Sequence, residues 1–459
     1  MVGFSVAGQR VVVVGAARSG VAAARLLAKR GASVTLTDLK SRIDEAEALA
    51  AAGVNVELGG HDINTLTRAD LVVLSPGVPA RQPAIDAARE RGIPVIAELE
   101  LASRWLAGNV IAVTGTKGKS TTTTLIGRML VEGGLRVAVG GNIGLALSAQ
   151  VDDSTPDTLH VVEVSSFQLE GTDTFHPWVA VLLNFSPDHL DRHASVEEYS
   201  AAKGRIFARQ DARDWAVVNA DDPRVLELAR HGRARQLRFG GAALREGIAV
   251  TADAIARREG GREEVLVPLS SVRLIGRHLL ADVAAACGVA TIAGVPASAM
   301  TRAVEGFGGL EHALEPVAEV RGVRFVNDSK ATNVDSARRA IESFDAGLVV
   351  ILGGRFKGGD LRELREPLAT RATAVIAIGD ARPLVRQALE GAVAVREAAT
   401  LHDAVRAAYA AAGGRGTVLL APACASFDMF RDYAERGRAF KEEVAALKRE
   451  VERVDVRQR

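Results

Sequence analysis

At 459 residues, with 57 Lys and Arg against 56 Asp and Glu, the chain carries a formal net charge of +1. That balance removes any bulk electrostatic case for nucleic acid or an anionic membrane surface. Hydrophobic content of 48% and charged content of 25% are those of an ordinary globular enzyme, and a chain of this length predicts about three domains. The two cysteines, Cys287 and Cys424, make neither a disulfide framework nor a cysteine-rich zinc site, so a reducing cytoplasm is the expected location. The apolar start at Val11–Val14 runs straight into glycines and is too short for a membrane span, so neither an anchor nor an export signal is expected.

Short β-branched runs alternate with Ala/Leu/Arg/Glu-rich stretches along the chain, which predicts parallel α/β layers. The first block, 1–108, predicts a strand at Arg10–Val14, a helix at Gly20–Arg30 and a strand at Ser33–Asp38 that ends in an acid. Further strands are predicted at Leu71–Leu74 and Pro94–Ile96, a Rossmann-like start. The second block, 109–308, opens with a strand at Val110–Val113, a Gly/Lys/Ser/Thr loop and a helix at Thr121–Glu132. Strands at His160–Val164, Val179–Asn184 and Trp215–Asn219 follow, so this block is P-loop-type. The third, 309–459, predicts strands at Arg324–Val326, Leu348–Leu352, Ala374–Ile378 and Thr417–Leu420, then a long charged helix beyond Asp432, and is again Rossmann-like.

The strongest local signal is Thr114-Gly115-Thr116-Lys117-Gly118-Lys119-Ser120-Thr121, between a strand and a helix. Backbone amides at such a turn cradle phosphates, Lys119 offers a point charge, and Ser120 or Thr121 offers a hydroxyl to Mg²⁺. Val113 stands where the full phosphate-loop pattern has its first glycine. The first-block loop Gly15–Gly20 resembles a dinucleotide fingerprint without its middle glycine, and Asp38 is placed for a sugar hydroxyl or base edge. A plain tight turn explains that loop equally well. Ser75-Pro76-Gly77 ends another strand and lines the same crevice, or is a type II turn. Glu163, His189 and Lys203 are metal-ligand candidates. Singly, each has a bland reading as a salt-bridged acid, a loop residue, or a lysine paired with Glu197 or Glu198. Their joint appearance after a phosphate loop makes the case for a hard cation.

Thr114–Thr121, Gly141-Asn142-Ile143-Gly144, Glu163–Glu170 and Asp188-His189-Leu190-Asp191-Arg192 resemble, in that order, the Mur ligase family. Asn327-Asp328-Ser329-Lys330-Ala331-Thr332-Asn333 and Pro422–Asp428 resemble its D-glutamate-adding members rather than those adding diaminopimelate, lysine or a dipeptide. The resemblance spans nearly the whole chain. It implies an ATP-dependent, Mg²⁺-requiring ligase of peptidoglycan precursor synthesis that forms an acyl phosphate. Its partners would be small molecules only, with no nucleic acid and no membrane anchor, and it would act as a monomer.

Residue by residue, the resemblance implies that Asp38 and Ser75 lie along the UDP group. Gly115, Thr116, Lys117, Gly118, Lys119, Ser120 and Thr121 bind ATP phosphates, and Glu163 shares a Mg²⁺ with Ser120 and Thr121. His189 and Lys203 serve a second ion, Lys203 as a carbamate. Asn142, Ser165 and Gln168 face the muramoyl-alanine. Lys330, Thr332, Lys357, Ser426 and Tyr433 line the D-glutamate pocket, with a helix N-cap as the plainer role of Ser426.

The chain also departs from the family pattern. After Gly276-Arg277-His278 comes Leu279, and Asp282 stands where an adenine-side Asn is usual. Ala313 replaces an Arg near the terminal phosphate, and Tyr433 replaces a common Phe. Lys117, Arg277 and Arg355 are the sequence candidates to replace the lost cation. These gaps motivate the rival reading of a catalytically weak regulator with the same fold. Another amino-acid-adding Mur ligase is the second rival. A folate polyglutamate ligase shares the phosphate loop but leaves the Rossmann-like first block unexplained.

Overall fold

The computed structural model describes residues 4–187, 192–274, 276 and 279–458. They form three sheets in two compact units, Met1–Val272 with Leu280–Gly306, and Arg273–Leu279 with Phe307–Arg459. In the first sheet β1 (Arg10–Val14), β2 (Ser33–Asp38), β3 (Asn55–Leu58), β4 (Leu71–Leu74) and β5 (Val95–Ala97) lie in the order β3-β2-β1-β4-β5, all parallel. Val11–Val14 are buried on both faces, so this strand reads as a continuous apolar run, as the centre of a parallel sheet requires. Each such fully buried Val contributes roughly 1.5–3 kcal/mol. The order reverses between β1 and β4, and the crevice beyond their carboxyl ends is where ligands of open α/β sheets bind.

The second sheet contains β6 (Asn109–Thr114), β7 (Arg136–Gly141), β8 (Thr158–Glu163), β9 (Val179–Leu182), β10 (Trp215–Asn219), β11 (Arg235–Gly240), β12 (Gly247–Val250), β13 (Ala254–Glu259) and β14 (Arg262–Pro268). Their order is β14-β13-β12-β11-β10-β9-β6-β8-β7. Only the β12–β13 and β13–β14 pairings are antiparallel. Gly260 and Gly261, both at positive φ, make the two-residue turn of the last hairpin. The short helix Glu98–Ser103 rivets the first sheet to the second. Buried Glu98 accepts the Ser148 amide at 2.7 Å, and buried Glu100 accepts the amides of Asp173, Thr174 and Phe175.

In the second unit, β15 (Glu315–Val320), β16 (Val323–Asn327), β17 (Leu348–Gly353), β18 (Ala372–Ile378), β19 (Val395–Glu397) and β20 (Gly416–Leu420) take the order β15-β16-β20-β17-β18-β19. All pairings but β15–β16 are parallel. Apolar clusters cover both faces of this sheet, and the chain closes in the helix Tyr433–Gln458. The predicted mixed α/β architecture is observed. The predicted elements recur within a few residues of their expected ends, whereas β3, β7, β11–β15 and β19 had no counterpart in the sequence reading.

Candidate active site

The phosphate-loop geometry follows from sheet order. β6 lies between β8 and β9, and the register sets Val113 opposite Glu163, so the loop after β6 opens beside the acid that ends β8. Gly118 caps the helix Lys119–Glu132 in the left-handed conformation (φ 81°). A Cβ there would come within 2.1 Å of Asp282 Oδ1, so both space and φ require glycine. Ser120 Oγ donates to Glu163 Oε2 at 2.6 Å, and Asn142 Nδ2 donates to Oε1 at 2.9 Å. Lys119 Nζ folds back over the loop to the carbonyls of Gly115 and Thr116, each at 2.9 Å. Lys203, 1% exposed, reaches the same Gly115 oxygen at 2.8 Å, and its Nζ lies 4.7 Å from the Tyr199 ring centre. Glu198, one of the two acids considered as a Lys203 partner, instead pairs with Arg81 at 2.6 Å.

Loop conformation depends on residues outside the glycine motif. Asn184 accepts the Lys117 amide at 2.9 Å and donates to its carbonyl at 3.1 Å. Thr116 Oγ1 donates to Ser186 O at 3.0 Å and meets Tyr199 Oη at 3.2 Å. Asp282 is buried beneath the loop, and burial pushes its carboxyl up to about 7 against the Thr122 hydroxyl and the Lys119 charge. Its Oδ2 has no hydrogen-bond partner. Ser165 caps the helix Ser166–Glu170 in a reciprocal box with Gln168. That box uses Gln168 Oε1 and leaves the buried Nε2 without a partner. A buried polar atom without a partner is one that a ligand could satisfy. Thr121 is half-buried on the first turn of the loop helix. His189 lies outside the described residues.

At the carboxyl ends of β1 and β4, Ser75 Oγ donates to Gly15 O at 2.8 Å. Gly15 and Gly20 both pack too closely for a Cβ. Asp38 accepts the amides of Ala16 at 2.6 Å and Lys40 at 2.8 Å, so its carboxylate shapes the loop beside the crevice. The turn at Ser75 closes through Val78 N to Ser75 O at 3.0 Å. Gly77 is not at positive φ, so the expected type II turn is not formed, because that turn needs a left-handed third residue.

In the second unit, β20 lies between β16 and β17, which sets the three loops beyond their carboxyl ends side by side. These loops carry Lys330 and Thr332, Ser426, and Lys357. Ala423 N donates to Ala331 O at 2.9 Å, and Arg355 exchanges amide bonds with Ala425. Arg436, 1% exposed, pins the Ser329 hydroxyl and carbonyl, each at 2.9 Å, together with Cys424 O at 3.2 Å. Burial holds its guanidinium down to about 10. Asp328 is likewise pushed up by burial to about 7. Tyr433 is 40% exposed at the start of the last helix. Ser426 does not cap that helix, which begins seven residues on. Its carbonyl instead takes the Met429 and Phe430 amides in a turn. Asn184, Tyr199, Asp328 and Arg436 were not among the residues expected from the sequence. Tyr199 had a usable signal, one helical turn before Lys203.

Of the candidates to replace the lost terminal-phosphate cation, Lys117 sits in the loop itself. Arg355 lies 4.0 Å from Asp380, and Arg277 is outside the described residues. A separate cluster, His176, Asp211 and Asp214, could reach a single ion. It is internally satisfied, with His176 Nε2 at 2.6 Å from Asp214 and Arg213 on Asp211.

A phosphate loop opening one α/β sheet, preceded by a parallel dinucleotide-type sheet and followed by a third, defines a multidomain nucleotide-using enzyme. Residues 9–97 match the N-terminal domain of the MurD-like Mur ligases. Residues 113–290 match the Mur ligase middle domain, and residues 314–424 the Mur ligase glutamate ligase domain. The chain is 47% identical over 445 residues to the UDP-N-acetylmuramoylalanine–D-glutamate ligase of Acidobacterium capsulatum, covering 96% of each. It is 44% identical to the enzyme of that name from Koribacter versatilis, covering 97% of this chain and 99% of the other. Among solved structures, the UDP-N-acetylmuramate-alanine ligase of Thermotoga maritima shares the fold at TM-score 0.60 and 18% identity, covering 96% of this chain and 100% of that one. The chain belongs to the Mur ligase family. No described helix is long and apolar enough to cross a membrane.

Proposed function

We infer that this chain is an ATP-dependent ligase that adds D-glutamate to UDP-N-acetylmuramoyl-L-alanine in peptidoglycan precursor synthesis. The observation that carries the reading is the place of Glu163. Its carboxylate runs from the phosphate-loop hydroxyl of Ser120 on one side to the amide of Asn142 on the other. The full-length relatives supply the identity of the substrates. A carboxylate is a poor acylating agent, so it must first be activated. The alanyl carboxylate attacks the γ-phosphorus of ATP, giving an acyl phosphate and ADP. The free amine of D-glutamate then attacks the acyl carbon, and phosphate leaves from the tetrahedral adduct.

This chain's part is positioning and charge neutralisation. Loop amides 115–118, Lys119 and the helix start hold the phosphates. Asp38 and Ser75 shape the crevice for the UDP group, while Asn142, Ser165 and Gln168 face the muramoyl-alanine. Lys330, Thr332, Lys357, Ser426 and Tyr433 receive D-glutamate, and Asp282 lies below the nucleotide. The hydroxyls of Ser120 and Thr121 and the Glu163 carboxylate are hard oxygen donors that would hold one Mg²⁺, and His189 together with Lys203 as its carbamate would hold the second. The bound ions supply neutralisation of phosphate charge. The reading includes a cytoplasmic, monomeric enzyme. ADP release measured with D-glutamate, L-glutamate, L-lysine and diaminopimelate in turn tests it. Release that requires both the UDP substrate and D-glutamate is the expected result. Equal or better turnover with another amino acid overturns the assignment, and no turnover at all favours the regulator.

A further inference from the structure

A buried imidazole that the mechanism above does not use sits behind the substrate-facing loop. His193 is 1% exposed and Ser166 is 2% exposed. His193 Nε2 lies 2.9 Å from Ser166 Oγ. Its Nδ1 lies 3.0 Å from Glu170 Oε1, off the line of a straight hydrogen bond. The ring stacks on Phe167 (centroids 5.1 Å apart, 13° between planes) and tilts against Tyr199 at 5.1 Å. Arg192 covers the Phe167 ring at 3.9 Å. With Glu170 beside Nδ1, the tautomer that fits puts the proton there, and Nε2 then accepts from the Ser166 hydroxyl.

The helix that His193 grips, Ser166–Glu170, is five residues long. So short a helix has no stability of its own and takes its geometry from tertiary contacts. Its N-cap is Ser165, and its third residue is Gln168, whose buried Nε2 has no partner. Those are the two residues on this helix that face the UDP substrate in the function proposed above. His193 also abuts Tyr199, which touches Thr116 through Oη at 3.2 Å.

We propose that His193 is a positioning residue of the ligase reaction, one that holds the Ser166 hydroxyl and so fixes the turn that presents Ser165 and Gln168 to the UDP-linked substrate. The proposal rests on the ligase reading. The simpler role, a core histidine that fills space, predicts a loss of stability without a selective loss of substrate affinity.

The test is steady-state kinetics on the full chain with His193→Phe, Ser166→Ala, the double variant and His193→Gln, alongside melting curves. His193→Phe keeps the aromatic stack and removes both polar contacts. It should raise the KM for the UDP substrate about tenfold and leave the KM for ATP within about twofold. Ser166→Ala should move the same KM in the same direction. The double variant should be no worse than His193→Phe, because the two residues act as one unit. His193→Gln, whose amide can still take the hydroxyl, should recover most of the loss. Additive effects overturn the proposal, as does a parallel rise in all three KM values. If His193→Phe does not fold, an unchanged UDP-substrate KM in Ser166→Ala overturns it alone. The unsubstituted chain tests the ligase reading separately, through its D-glutamate-dependent ADP release.

Discussion

Lys119 and Lys203 donate to one carbonyl oxygen, that of Gly115, at 2.9 and 2.8 Å. They are 84 residues apart in sequence and arrive from different helices. Two amines converging on a single acceptor inside a glycine loop mark a place built for negative charge. Lys119 is the half-buried member at the start of the loop helix, with its amine on the loop carbonyls named above. Lys119→Ala should therefore fold as the parent does and lose roughly 10²–10³ in kcat, the scale of one lost transition-state donor. Single-turnover ADP formation with a melting curve checks this, and wild-type turnover would contradict it.

Glu163 is held between Ser120 and Asn142, so its carboxylate is oriented before any ion arrives. Glu163→Gln keeps the shape and removes the charge. Its expected effect is a rise of tenfold or more in the Mg²⁺ concentration that gives half-maximal activity, by the loss of a hard anionic ligand. Ser120→Ala should shift the same titration less. An unchanged Mg²⁺ titration in Glu163→Gln would remove Glu163 from the metal set.

The parts of this site that were legible in the sequence are those with local signatures. Arg10–Val14 reads as a strand, and Thr114–Thr121 as a phosphate turn, because strand, loop and helix are contiguous. Arg436 was not legible. It meets Ser329 across 107 residues, and nothing local in a charged helix announces a buried guanidinium. Asn184 was read only as the end of a predicted strand, yet it clamps Lys117 across 67 residues. The β13–β14 hairpin was missed although its Gly260-Gly261 turn is a strong short-range signal. Its flanking strands carry runs of Arg and Glu, which mask the apolar alternation. Gly77 failed as a type II residue because glycine permits a left-handed conformation without requiring it.

Asp282 makes stability depend on pH. Burial lifts its folded-state pKa from 3.8 to about 7. The folded chain thus holds a proton that the unfolded chain has lost between roughly pH 4 and pH 7. Stability from this group is full below about pH 4 and is lost as pH rises through about 7. Asp282→Asn has no charge to bury, so it should melt on the order of 5 °C above the parent at pH 8. The gap should close as the pH approaches 4. A gap that stays constant across this range would show that Asp282 does not titrate in the folded state.

Lys330, Thr332, Ser426 and Lys357 are brought to one edge by the β16-β20-β17 order. Two cations and two hydroxyls suit a ligand with two carboxylates. Lys330 is exposed at the loop tip, so Lys330→Ala should cost little stability. It should raise the D-glutamate KM by tenfold or more, while the ATP KM moves less than about threefold. Equal effects on both substrates would place Lys330 outside the amino-acid pocket.

Lys203 is expected to act as a carbamate. It is buried beside Lys119, with its amine on Gly115 O and over the Tyr199 ring. An ammonium cannot ligate Mg²⁺ and is repelled by it. CO₂ adds to the uncharged amine, with loss of a proton. The product is an anionic oxygen donor of the kind a hard cation prefers. The contrary reading keeps Lys203 as an ammonium bound to the loop carbonyl, a structural strut. The two readings separate on chemical rescue. Under the carbamate, Lys203→Ala loses activity by about 10²-fold or more, and added acetate, a small carboxylate, restores part of it. Lys203→Arg stays inactive, because its guanidinium keeps the charge and cannot be carbamylated. Under the strut, acetate does nothing and Lys203→Arg, which can still donate to Gly115 O, retains most of the rate. Bicarbonate gives a third readout. Enzyme depleted of CO₂ at mildly alkaline pH should lose activity and regain it when bicarbonate is returned, while the Lys203→Arg variant shows no such response.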